Sequence, residues 1–198
     1  RDEAAERKAA AFLLGDNLER TTQGGGIYTY TSQQGAAAFR DTGSFDAAGS
    51  LSQENAEAFC RDFCKAFSYD TPIFTLDETG SGTATAVRLW NGTPVFNAAV
   101  TFTIDQGRVL SASGALLPET GAETSSGQKP LSAFAALTAF QQMRHASSSV
   151  VSSITEVSLC YELQSTTAAP MALVPSWRIV TDTATFYVNC ISGTVRRA

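Results

Sequence analysis

A chain of 198 residues with a single histidine has few places to begin acid–base or nucleophilic chemistry. His145 follows Arg144 near the end of a predicted helix, where the helix dipole favours a cationic or polar side chain. Capping or solvent exposure therefore accounts for it better than catalysis. A Ser-His-Asp or Cys-His set would have to use this one residue, and there is no Gly-x-Ser-x-Gly elbow to present a nucleophile. Of the four cysteines, Cys60 and Cys64 stand four apart on one predicted helix, and Cys160 and Cys190 fall in predicted strands. A zinc site would want a tighter CxxC pair or nearby histidine ligands. Thiols at i and i+4 seldom close a relaxed disulfide, so all four read first as small apolar core residues. A Cys160 to Cys190 bridge between neighbouring strands stays open as an alternative, since disulfides persist outside the cytoplasm.

The carboxylates are scattered. Asp77 and Glu78 precede a glycine turn, Glu119 and Glu123 fall in a Gly/Ser/Thr-rich stretch, and Asp182 ends a predicted strand. Glycosidase chemistry needs two carboxyls facing each other across a cleft, and solvated turn positions account for these residues. Gly24-Gly25-Gly26 and Gly80-Ser81-Gly82 lack the Lys-Ser/Thr of a phosphate loop and the strand-to-helix setting of a dinucleotide fingerprint, so both read as turns. The formal net charge is −5, and no window carries a Lys/Arg cluster able to displace counterions from a phosphate backbone. No cofactor, metal or nucleic acid is expected.

The elements that must hold these residues are legible in the periodicities. With 43% hydrophobic residues the chain can bury real cores. Asp2 to Leu18 has helical spacing, stopped at Gly15. Ile27 to Thr31, Ala36 to Arg40 and Ser44 to Asp46 then read as a strand meander. Ser52 is a good N-cap for a helix over Gln53 to Phe67, whose buried face is Ala56, Phe59, Cys60, Phe63, Cys64 and Phe67. Strands follow at Thr71 to Leu76, Ala84 to Trp90, Pro94 to Ile104 and Arg108 to Ala115, with Asn91-Gly92 as a hairpin turn.

Pro118 to Lys129 is poor in large apolar residues and reads as a linker. A second helix-first pattern starts at Pro130, with Leu131, Phe134, Leu137, Thr138 and Phe140 to Met143 after it. Strands at Ile154 to Gln164, Leu173 to Asp182 and Thr185 to Ile191 follow, and Ser192-Gly193 turns into a last short strand. The stretches Thr93 to Val109 and Ser176 to Val195 share one design, a β-rich run with polar turn residues. The expected fold is α+β: two tandem helix-on-antiparallel-sheet units with an amino-terminal helix and β-meander. Its divisions are 1–117, a linker at 118–129, and 130–198.

The run GTPVFNAAVTFTIDQGRVLSASG, a helix opening at Pro130-Leu131-Ser132, and LVPSWRIVTDTATFYVNCISGTV together resemble the PepSY-type modules of metalloprotease propeptides. In its two-unit layout the chain also resembles the extracytoplasmic YycH/YycI accessory regulators of Gram-positive bacteria. The matching positions are Gly92, Pro94, Val95, Phe96, Trp177, Tyr187, Val188, Asn189, Gly193 and Val195. The resemblance implies a non-catalytic protein outside the membrane, anchored at its amino terminus, that regulates a partner by binding. That partner would be a membrane sensor histidine kinase of a two-component system. The alternative is a PepSY-type inhibitor or folding module acting in trans on a secreted protease, because no protease domain follows Ala198.

No window holds the 18 consecutive apolar residues of a spanning helix. The start at Arg1 suggests a processed product whose anchor has been removed. Trp90 and Trp177 are the residues to watch for partner binding. In the simpler reading each ring packs on the helix of its own unit. In the functional one each rims a groove beside an open sheet edge that an extended peptide could join.

Overall fold

The structure is a computed structural model that describes residues 2–52, 55–118, 128–147, 150–165 and 171–198. These form a mixed α+β protein of three helices and twelve strands. They cluster into two compact units, Arg1–Leu89 with Asn97–Glu123, and Trp90–Phe96 with Thr124–Ala198. The expected linker lies largely on 119–127, outside the described residues.

In the first unit, α1 (Glu3–Leu14) starts where Asp2 accepts a hydrogen bond from Ala5 N at 3.0 Å. Glu3 and Glu6 in its first turn suit the positive end of the dipole. It stops at Gly15, whose φ of 81° is costly for any residue with a Cβ. Its buried face is Ala9, Ala10, Leu13 and Leu14, two small residues and two large ones in adjacent turns. A meander follows: β1 (Glu19–Gly24), β2 (Ile27–Ser32), β3 (Gly35–Arg40) and β4 (Ser44–Gly49), each antiparallel to the next. β1 was not foreseen. Its sequence ERTTQG is exposed throughout and has no apolar alternation to betray it; only pairing with β2 makes it a strand.

α2 (Ala56–Ala66) is capped by Asn55, whose side chain accepts from Ala58 N at 3.1 Å. The expected cap, Ser52, has another role: its Oγ accepts from Val109 N at 3.0 Å. The expected buried face is present, with Ala56, Cys60, Phe63, Cys64 and Phe67 buried and Phe59 packed at its margin. Next come β5 (Ile73–Leu76), β6 (Gly82–Trp90), β7 (Thr93–Asp105) and β8 (Arg108–Ala115). The meander does not continue from β4 to β5. β4 pairs β8, so the strand order runs β1-β2-β3-β4-β8-β7, with β6 on β7 and β5 on β6. One face of this sheet packs on both helices in an aromatic core around Phe63, which meets Phe12, Phe45, Phe67, Tyr69 and Phe102.

The second unit is built from α3 (Ala133–Ser147), β9 (Ile154–Gln164), β10 (Ala172–Thr181), β11 (Thr185–Asn189) and β12 (Val195–Arg197), antiparallel from β9 to β12. α3 opens three residues later than Pro130 predicts, with Ser132 Oγ accepting from Ala135 N at 3.2 Å. Its buried residues are Ala136 and Phe140, flanked by Leu137, Ala139 and Met143, over Ile179, Phe186 and Val188. Phe134, expected on that face, is 80% exposed. Helical spacing predicts a stripe, but a small sheet covers only part of it. The opening residues of β7 belong to this unit, where Val95 pairs with Tyr161 of β9 in parallel. The expectation of purely antiparallel pairing is corrected at that point.

Candidate functional site

β5 leaves the first sheet with an open edge: among the described residues it pairs with β6 alone. Its construction follows from its sequence. Pro72 stands immediately before it and has no N–H to give a ladder, a residue type confined to edges and strand starts. The segment upstream already runs along β6, with Asp70 N donating to Val87 O and Leu89 N donating to Ser68 O, both at 2.8 Å. At the far end Asp77 N donates to Ser81 O at 2.9 Å. Stepping back by twos from that bond makes Thr75/Thr83 and Ile73/Thr85 the bonded pairs, given their register. The N–H and C=O groups of Phe74 and Leu76 therefore point away from β6.

The turn that ends this edge is tightly held. Asp77 Oδ1 accepts from Thr79 N at 2.8 Å, Thr79 Oγ1 at 2.7 Å and Ser81 N at 3.0 Å. These bonds, the Thr79 hydroxyl first, keep the Asp77 carboxyl below its ordinary pKa. Ser81 Oγ donates to Asp105 Oδ1 at 3.0 Å and accepts from Gln106 N at 2.9 Å, which ties this turn to the one between β7 and β8. Ile73 is 74% exposed and Leu76 37%. Phe74 turns inward to the core, with the Arg61 guanidinium 5.3 Å from its ring centre. Asp70, Asp77 and Glu78, all exposed, mark the two ends of the strand.

The residues singled out by sequence do not converge. His145 is exposed in the last turn of α3. Trp177 packs against the α3 core and its indole Nε1 donates to Leu131 O at 2.9 Å, which gives it a structural role in its own unit. Trp90 is half-buried at the end of β6 and clusters with the second unit. Cys60, Cys64, Cys160 and Cys190 are all buried free thiols. Burial pushes Cys60, Cys64 and Cys160 up to about 12 and raises Cys190, which disfavours the thiolate form of each. Cys160 lies opposite Ser176 on β10, and Cys190 N donates to Pro175 O from the other side of that strand. β10 therefore separates the two, and two strand spacings, about 10 Å, exceed the reach of a disulfide.

Asp182 accepts from Ser152 N and Ser153 N and closes a turn, while Glu119 and Glu123 lie outside the described residues. A cavity of about 220 Å³ in the first unit is lined by Asp2, Lys8, Phe67, Arg88 and Leu117 among others. It is smaller than the roughly 300–1,000 Å³ of typical ligand sites. Arg88 is buried there as a strut, donating to Ser68 O at 2.7 Å and Leu117 O at 3.3 Å. Its lining carboxylate, Asp2, is committed to capping α1.

Sequence reasoning foresaw the β5 strand and missed that it is an edge. Pro72 was the available signal.

No family model matches the chain, and no curated protein matches it. Among solved structures it is similar to the C-terminal domain of Bacillus megaterium YpeB, with a TM-score of 0.45 and 13% identity over 100% of this chain and 97% of that one. It is also similar to an uncharacterized protein from Eubacterium rectale, with a TM-score of 0.48 and 12% identity over 100% of this chain and 77% of that one.

Proposed function

We propose that this protein is a non-catalytic regulator that works outside the cell membrane by binding another protein, a membrane sensor histidine kinase of a two-component system. The observation that supports a binding role is the β5 edge, where the main-chain groups of Phe74 and Leu76 point outward beside an Ile73 that is 74% exposed. An open edge beside an apolar side chain is a surface for strand addition. The repeated order of a helix followed by antiparallel strands, α2 with β5–β8 and α3 with β9–β12, supports reading the chain as a doubled PepSY-like module. The second reading is a PepSY-type inhibitor or folding module acting in trans on a secreted protease, which would use the same edge.

A photo-crosslinking residue at Ile73 in the full-length protein, irradiated in cells, tests both readings. Recovery of a sensor kinase is the expected result, and recovery of a secreted metalloprotease alone would reverse their order. If neither is recovered from Ile73 or from positions elsewhere on the surface, the binding reading falls.

A further inference from the structure

We infer that the β5 edge takes an extended basic peptide: its main chain joins Phe74 and Leu76, an apolar side chain sits beside Ile73, and Lys or Arg residues at its ends face Asp70 and Asp77/Glu78. This deepens the binding reading above and rests on it. The main-chain part follows from the bonding phase, because the β6 ladder uses Ile73, Thr75 and Asp77 and leaves the intervening groups directed outward. Strand addition draws affinity from such groups and specificity from the alternating side chains beside them.

The charge part follows from what flanks the strand. Exposed Asp70 stands at its entrance, and exposed Asp77 and Glu78 stand at its exit. Arg61, the cation over Phe74, is 3.8 Å from Glu57 on its own helix, so the edge as a whole stays acidic. Asp77 uses Oδ1 in the turn. The edge is also preorganised, since the Ser81 bonds to Asp105 and Gln106 fix the turn before any partner arrives. Its short length and Pro72 are devices by which proteins discourage promiscuous edge pairing, and they limit the occupant to a segment of about four to six residues.

The test is an NMR titration of the intact protein with the capped peptide Lys-Thr-Val-Thr-Val-Lys. Three comparison peptides accompany it: one N-methylated at the two amides that would join the strand, one with the lysines replaced by glutamates, and one scrambled to place the valines on alternate faces. The expected result is a saturable shift of the amides between Ser68 and Ser81. N-methylation weakens binding at least about tenfold, through two lost main-chain hydrogen bonds. Asp77→Asn with Glu78→Gln weakens it about threefold, and the acidic peptide binds worse still. Leu76→Pro, which removes an outward N–H and leaves the β6 ladder intact, abolishes the shift, and the N-methylated peptide makes the same test without altering the protein.

Equal binding of the N-methylated peptide, or shifts confined to other strands, would overturn strand addition. Equal binding of the acidic peptide would overturn the basic occupant. A crosslinked partner from Ile73 with no peptide binding would overturn this inference and leave the broader binding role standing.

Discussion

Phe63 and Phe134 are the same residue type on two helices whose sequences both suggest burial, and the structure assigns them opposite energetics. Phe63 is wholly buried, with ring centres at 4.6 Å from Phe67 and 5.4 Å from Phe12 and Phe102. Phe134 is 80% exposed. Replacing Phe63 by alanine forfeits a transfer free energy of roughly 1.5–3 kcal/mol. It also leaves a void walled by α1, α2 and the sheet, and such truncations total about 3–5 kcal/mol. Five aromatic neighbours cannot all collapse into one hole, so about 4 kcal/mol is expected for Phe63→Ala, a fall in Tm of roughly 8–16 °C for a chain of this size. Phe134→Ala should stay within about 0.5 kcal/mol of the parent. Urea unfolding followed by far-ultraviolet circular dichroism measures both. A Phe63→Ala loss under about 1.5 kcal/mol, or two losses of similar size, would refute the placement of the core.

The buried thiols make a second test. Folded Cys60, Cys64 and Cys160 titrate near 12 against an ordinary 9.0, so the unfolded chain releases their protons first and stability falls as pH rises above about 9. Urea titrations between pH 7 and 10 should show that fall, a Cys60→Ala variant should make it shallower while Cys64 and Cys160 sustain the rest, and thiol reagents should label the native protein far more slowly than the unfolded one. Gly49 has φ 145°, and a Cβ there would collide with Gln34 O, so Gly49→Ala should cost about 1–3 kcal/mol while leaving m unchanged. Asp77, Glu156 and Asp182 are held below their ordinary values by hydrogen bonds, to Thr79, to Ser158 and Arg178, and to Ser153 respectively. Carbonyl-detected NMR should find all three still ionised at a pH where free aspartates and glutamates are half protonated; what their ionised forms contribute is lost only as pH falls through those lowered values.

Local physics wrote most of the elements into the chain. α2 was legible because its apolar residues recur at i, i+3 and i+4, β8 and β9 because glycine and polar turns bracket alternating runs, and the stop of α1 because Gly15 alone tolerates its φ. Backbone turns at Asn91-Gly92 and Gln106-Gly107 were equally readable, since each needs positive φ. What periodicity could not carry was which strand meets which. β4 passes over its successor to pair β8, Val95 meets Tyr161 in parallel, and β10 comes between the two cysteines. β1, polar at every position, exists only because β2 lies beside it. The candidate site belongs to this second kind of fact. A strand at Ile73–Leu76 follows from residue preference, but an edge is the absence of a neighbour, and neighbours are chosen by the long-range packing of the whole sheet.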